Sequence, residues 1–285
     1  KRGGGPPFWV AAEFSTGPAG PYALTLKEGR DEWQALTLEV SAGGATKAEM
    51  AGGPLGAKGW SRAEESLYAA WIEALFAEAD ERSSWKALHE VMRDPARNIL
   101  HDHLGLGEDE ASGPNALVMT PDCADNPYFL RAYFAWKIGL PFGFHETSWG
   151  SREQAPRGLR FRTDGLSAGT EAGSPVRKFR RLLALVKNTV HAGNGRTALR
   201  ADATDYYPLP LTRKALKPGT VYADPYGHTL TIVRWVPQTA KRPGLLLAVD
   251  AQPDGTIGIK RFWKGNFLFT TESVVGEPGF KAFRP

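Results

Sequence analysis

Four strand-sized runs crowd into the C-terminal part of the chain, and the turns between them leave no room for helices. Residues 221–222, 228–236, 245–250 and 256–262 are rich in β-branched and aromatic side chains. Lys217-Pro-Gly219, Asp224-Pro-Tyr-Gly227 and Pro253-Asp-Gly255 punctuate them as turns. Parallel neighbours need a crossover of a dozen or more residues, so strands joined this tightly pair as antiparallel neighbours. Helical patterns come before them, which sets the fold class as α+β rather than an alternating α/β chain. The longest aliphatic stretch, residues 244–249, is strand-sized and far short of the roughly 18 apolar residues of a membrane span.

The helical part opens on Ser61-Arg-Ala-Glu64, a capping box. Behind it Leu67, Trp71 and Leu75, with Tyr68, Ile72 and Phe76, give broad apolar coverage. A second helix is expected over 84–92, stopped by Asp94-Pro95, with a short helical turn over 98–104. A third starts with Asn126 as N-cap and Pro127 as its first residue, carries Leu130, Phe134 and Ile138, and stops at Gly139 and Pro141. Ser174-Pro175 starts a fourth, with Val176, Phe179, Leu182, Leu183 and Val186 on one face. Residues 145–174 read as a long loop or weak hairpin, and 189–205 as loop. Residues 1–60, rich in Gly, Pro and Ala, read as an extension with short β pieces near 8–14, 22–27 and 34–40. The rest, 61–285, reads as one domain with a large insertion at about 146–214.

A composition of 42% hydrophobic and 23% charged residues excludes a disordered chain. The net charge of +4 is unevenly placed: residues 151–200 hold eleven Lys/Arg against three Asp/Glu. Such a stretch can contact a polyanion, although a solvated basic surface is the commoner meaning of a charge run. Only Phe161 and Phe179 interleave with its cations, so a nucleic-acid stacking platform is not indicated. A single cysteine in 285 residues excludes an internal disulfide and disfavours a thiolate zinc site.

That cysteine, Cys123, lies in Thr120-Pro-Asp-Cys-Ala-Asp-Asn-Pro-Tyr128, at the start of the third helix. A thiol there feels the positive end of the helix dipole, which favours thiolate. Acyl transfer by a thiol also needs a base and a group that orients the base. His228, after Gly227 at the start of a β run, is the candidate base; Asp250, at the end of the next run, is the candidate orienter, with Gln252 as its alternative. His191 and His145 rank behind His228 because neither has a strand context. His101-Asp-His103 has the look of a metal pair, but residues two apart diverge on a helix and no third ligand is evident. Neither a metal nor a cofactor is called for, and no phosphate-binding loop, dinucleotide fingerprint or serine elbow is present.

Asp122-Cys123, with its helix ending Lys137-Ile-Gly-Leu-Pro141, resembles the nucleophile segment of NlpC-type cell-wall endopeptidases, members of the papain-like cysteine hydrolase superfamily. Lys217-Pro-Gly-Thr-Val-Tyr-Ala-Asp224 is similar to the turn and strand before that family's histidine. Gly227-His228-Thr-Leu-Thr-Ile-Val233 resembles its Gly-His strand, and Leu247-Ala-Val-Asp250 its third-residue strand. Ala124-Asp125 stands where the family has Ser-Gly, the Cys-to-His spacing is longer, and an aspartate as third residue is similar to the transglutaminase-like branch. The resemblance implies a papain-like core, a nucleophile helix packed on an antiparallel sheet. It implies a Cys123-His228-Asp250 triad hydrolysing peptide amides, with bacterial cell-wall peptides as the substrate. The Lys1-Arg-Gly-Gly-Gly-Pro-Pro7 start lacks methionine, and with the resemblance it suggests an exported protein, periplasmic or extracellular. The other functional classes are an acyltransferase on the same triad and a non-catalytic module that binds a cell-envelope ligand.

Overall fold

A computed structural model describes residues 18–28, 31–40, 59–151, 153–163, 174–262 and 276–285. Strands β1 (Gly20–Glu28) and β2 (Asp31–Val40) pair as an antiparallel two-stranded ribbon, covering the β pieces expected at 22–27 and 34–40. The piece expected at 8–14 lies outside the described residues.

Helix α1 (Arg62–Leu75) starts on the expected capping box. Ser61 Oγ accepts from the Ala63 N–H at 3.1 Å, and Glu64 Oε2 accepts from the Ser61 N–H at 2.9 Å. The helix expected over 84–92 is corrected. Ser84–Trp85 forms a short strand, β3, and only Leu88–Met92 is helical, as α2. Backbone pairing of β3 with a distant strand outweighs the local apolar pattern there. Residues 98–104 form turns rather than a helical segment, with Asp102 at a positive φ of 45°. The backbone N–H groups of Asp102, Leu104, Leu106, Gly107 and Glu108 point at Asp102, Glu108 and Asp109 carboxylates instead of up a helix.

Helix α3 (Asp125–Ile138) is the centre of the molecule, with every residue from Asp125 through Lys137 buried. Gly139 ends it in the left-handed conformation, at φ 75°. Where a long loop or weak hairpin is expected over 145–174, the described residues form a hairpin of β4 (Gly143–Thr147) and β5 (Gly158–Thr163). Helix α4 (Pro175–Thr189) buries the five expected residues and stacks Phe179 on Trp136 of α3, ring centroids 4.2 Å apart. A single 3-10 turn, Asn194–Arg196, interrupts the loop that follows.

Strands β6 (Tyr206–Pro208), β7 (Val221–Ala223), β8 (Thr229–Val236), β9 (Leu245–Ala251), β10 (Ile257–Arg261) and β11 (Gly279–Phe283) join β3 in one sheet. Its order is β3-β10-β9-β8-β7-β11-β6, every pair antiparallel. The β7-to-β10 meander is the arrangement that the turn spacing predicts, and the fold is α+β. Side chains alternate as the pleat requires. Val221, Val233, Leu247 and Val249 join α1, α3 and α4 in the main core, while Tyr222, Ile232, Leu246 and Phe280 form a smaller cluster. The described residues of 146–214 are woven into this body, since α4 enters the main core and β6 closes the sheet. No helix among the described residues is long and apolar enough to cross a membrane.

Candidate active site

Cys123 sits in the turn just before α3, half-buried and free. The cap differs from the expected one. The helix begins at Asp125, so Asn126 and Pro127 lie inside its first turn, and Asp122 does the capping. Asp122 Oδ1 accepts the N–H groups of Ala124 at 2.9 Å and Asp125 at 3.0 Å. The Asn126 N–H donates to the Asp122 carbonyl at 3.0 Å, and Pro127, which has no N–H to place, follows in the first turn. The segment leading in is fastened by cations of α4. Lys187 Nζ donates to the Thr120 carbonyl at 2.8 Å, and Arg180 Nη2 donates to those of Pro114 and Ala116, each at 2.8 Å. Part of the basic stretch thus positions the cysteine loop.

His228 stands at the mouth of β8. The turn before it is built by Asp224, whose Oδ1 accepts the N–H groups of Tyr226, Gly227 and His228 at 2.8, 2.7 and 2.8 Å. Gly227, at φ 116°, supplies a conformation that a side chain would resist. The antiparallel register Thr231↔Val249 brings the start of β8 alongside the end of β9, where Asp250 lies. His228 Nε2 is 2.5 Å from Asp250 Oδ1, an ion-pair contact rather than an in-line hydrogen bond. Gln252 Nε2 donates to the other carboxylate oxygen at 2.7 Å. Asp250 and Gln252, alternatives in the sequence, therefore act in series. Asp250 is 3% exposed and the His228 side chain 34%. The carboxylate of Asp250 first, then contact with Cys123, pushes the imidazole pKa up to about 10 against the effect of burial. The structure thus brings Cys123, His228 and Asp250 together.

The other histidines are employed elsewhere. His191 Nε2 faces the Thr147 carbonyl at 2.8 Å, its Nδ1 accepts from the Gly193 N–H at 3.1 Å, and its ring stacks on Trp149. His145 Nδ1 lies 2.7 Å from Asp205 Oδ1, and Tyr128 donates its hydroxyl to Asp205 Oδ2, also at 2.7 Å. No group of three or more potential metal ligands occurs among the described residues. Cavities of about 360 and 400 Å³ lie apart from Cys123, His228 and Asp250, which line neither.

Two neighbours escape sequence reasoning. Asp125, 1% exposed, has its carboxyl pKa pushed up to about 7 by burial and by the charge of Asp122. Burial pulls down the guanidinium pKa of Arg196, 6% exposed, opposed by the Asp224 carboxylate and by Cys123. The Gly-Arg pair of a loop carries no periodicity that would have marked it.

No protein-family model, no curated protein and no solved structure matches the chain.

Proposed function

We propose that the protein is a cysteine peptidase or amidase with a papain-like catalytic core. The observation that carries this is the convergence of Cys123, at the head of a buried helix, with His228 and Asp250 from adjoining strands of an antiparallel sheet. Asp250, fixed by Gln252, holds Nε2 of the imidazole and leaves Nδ1 for the sulfur. In the first half-reaction the thiolate of Cys123 attacks the amide carbonyl and His228 gives its proton to the departing amine. Water, deprotonated by the same imidazole, then cleaves the thioester and returns free thiol and carboxylic acid. The Cys123 N–H at the helix start is suited to donate to the developing oxyanion.

The sequence resemblance supports amides of bacterial cell-wall peptides as the first substrates to assay, in an exported enzyme. The test of the chemistry needs no substrate. Iodoacetamide is expected to alkylate Cys123 rapidly near neutral pH and at least about tenfold more slowly in His228→Ala. Equal, slow reaction in both proteins rejects the proposal.

A further inference from the structure

Arg196 ends the 3-10 turn, and its guanidinium lies against the turn that presents His228. A methyl group placed on Gly227 would meet Nη1 at 3.7 Å and Nη2 at 3.8 Å. The residue is 6% exposed, yet Nε and Nη1 have no hydrogen-bond partner among the described residues. Buried polar groups in folded chains are normally satisfied, and a buried cation without an acceptor is costly. Two acidic residues near Arg196 hold backbone N–H groups: Asp224, whose charge it feels, and Glu277. Asp224 Oδ1 takes three N–H groups, and Glu277 Oε2 accepts from the Leu199 N–H at 2.6 Å. A second buried cation adds to the positive field, since Lys281, 2% exposed, donates to the Thr197 carbonyl at 3.1 Å and interacts with Arg196.

We infer that Arg196 is a substrate-binding residue that receives a carboxylate beside the scissile amide, so that the preferred substrates are acidic peptides. Its fork supplies N–H donors matched to a carboxylate, and burial strengthens each charge-assisted bond. The inference rests on Cys123 as nucleophile and names the substrate class that this nucleophile meets. Nε and Nη1 stay enclosed, so the carboxylate meets the remaining guanidinium nitrogen, Nη2.

Two alkylating reagents of similar size test it, iodoacetate with a carboxylate and iodoacetamide without. The ratio of their rate constants at Cys123 is expected to exceed that for N-acetylcysteine by about tenfold, the effect of one charge-assisted interaction. Arg196→Gln should bring the ratio back to the free-thiol value, with Arg196→Lys between. An equal ratio in native protein and Arg196→Gln overturns the inference and leaves the nucleophile standing. A parallel fall in both rates also overturns it, because Arg196 would then serve the sulfur alone. If both reagents react slowly with native protein, the hydrolase reading fails, and a separate arm judges the anion site. Sodium acetate, at constant ionic strength, should raise the unfolding temperature of Cys123→Ala but not of Cys123→Ala/Arg196→Gln; no difference between them overturns the site. Folding is not expected to suffer, since Arg196→Met removes a buried charge whose Nε and Nη1 lack hydrogen-bond partners and should raise the unfolding temperature. A fall in that variant would mark Arg196 as a structural residue and overturn the inference.

Discussion

Gln252 donates to Asp250 Oδ2 at 2.7 Å, so the carboxylate that faces His228 is gripped from its far side by a residue two positions along the chain. The carboxylate is thereby oriented before the imidazole meets it. Asp250→Asn should return the His228 titration from about 10 toward the ordinary histidine range and slow Cys123 alkylation at neutral pH by about tenfold or more. Gln252→Leu, which keeps the charge but frees its orientation, should cost severalfold less. Histidine proton NMR and alkylation kinetics read the two effects separately.

The same contact ties stability to pH. The His228 pKa is raised on folding, so its contribution is fully present below the unfolded value of about 6.5 and is lost as pH rises toward 10. His228→Ala is therefore expected to be destabilising at pH 6 and progressively less so by pH 10. Urea unfolding of the two proteins across that window gives the answer, and a pH-independent gap contradicts it.

Asp125 works in the opposite sense. Its carboxyl is pushed up to about 7, above the unfolded value near 3.9, so the native state holds a proton that the unfolded chain releases. Stability then falls as pH rises from about 4 to 7. Asp125→Asn should lift stability at pH 8 by about 1–3 kcal/mol relative to its effect at pH 4. Thermal unfolding at the two pH values checks this.

The sheet was readable because its information is local: turn residues fix β7 to β10, and the pleat divides Ile232 from Val233. Cys123, His228 and Asp250 could be ordered along the chain for the same reason, since each borders an element with its own signal. What was not legible depends on partners far away in sequence. Ser84-Trp85 reads as helix until β10 offers it an edge. Residues 98–104 read as helix until the Asp109 and Glu108 carboxylates take the N–H groups of Asp102 and Leu104. Pro127 next to Asn126 imitates a helix start, while the Asp122 carboxylate caps the backbone earlier. Arg196 has no pattern at all, only a position.

Lys137 shows what such distant partners do for α3. Its ammonium is wholly buried and contacts the carboxylates of Glu108 and Asp109, the latter at 2.5 Å, while Tyr133 donates to the same Asp109 Oδ2 at 2.7 Å. Burial raises the Glu108 carboxyl pKa, but hydrogen bonds to Asp102 and Lys137 overcome it and hold the pKa at about 2. A depressed carboxyl adds stability above its unfolded value near 4.5 and loses it as pH falls toward 2, so the contribution of this cluster should fade across that window. Lys137→Met leaves two buried carboxylates without their cation and is expected to cost about 3–5 kcal/mol at pH 7. The penalty should shrink by pH 3, where the abandoned carboxylates can be protonated. Restoring neutrality with Lys137→Met/Glu108→Gln/Asp109→Asn should recover much of the loss at pH 7, because the fold needs the cluster balanced rather than charged. Denaturant unfolding of the single and triple variants at both pH values decides it: equal losses at pH 3 and pH 7 would mean that Lys137 serves by its packing alone.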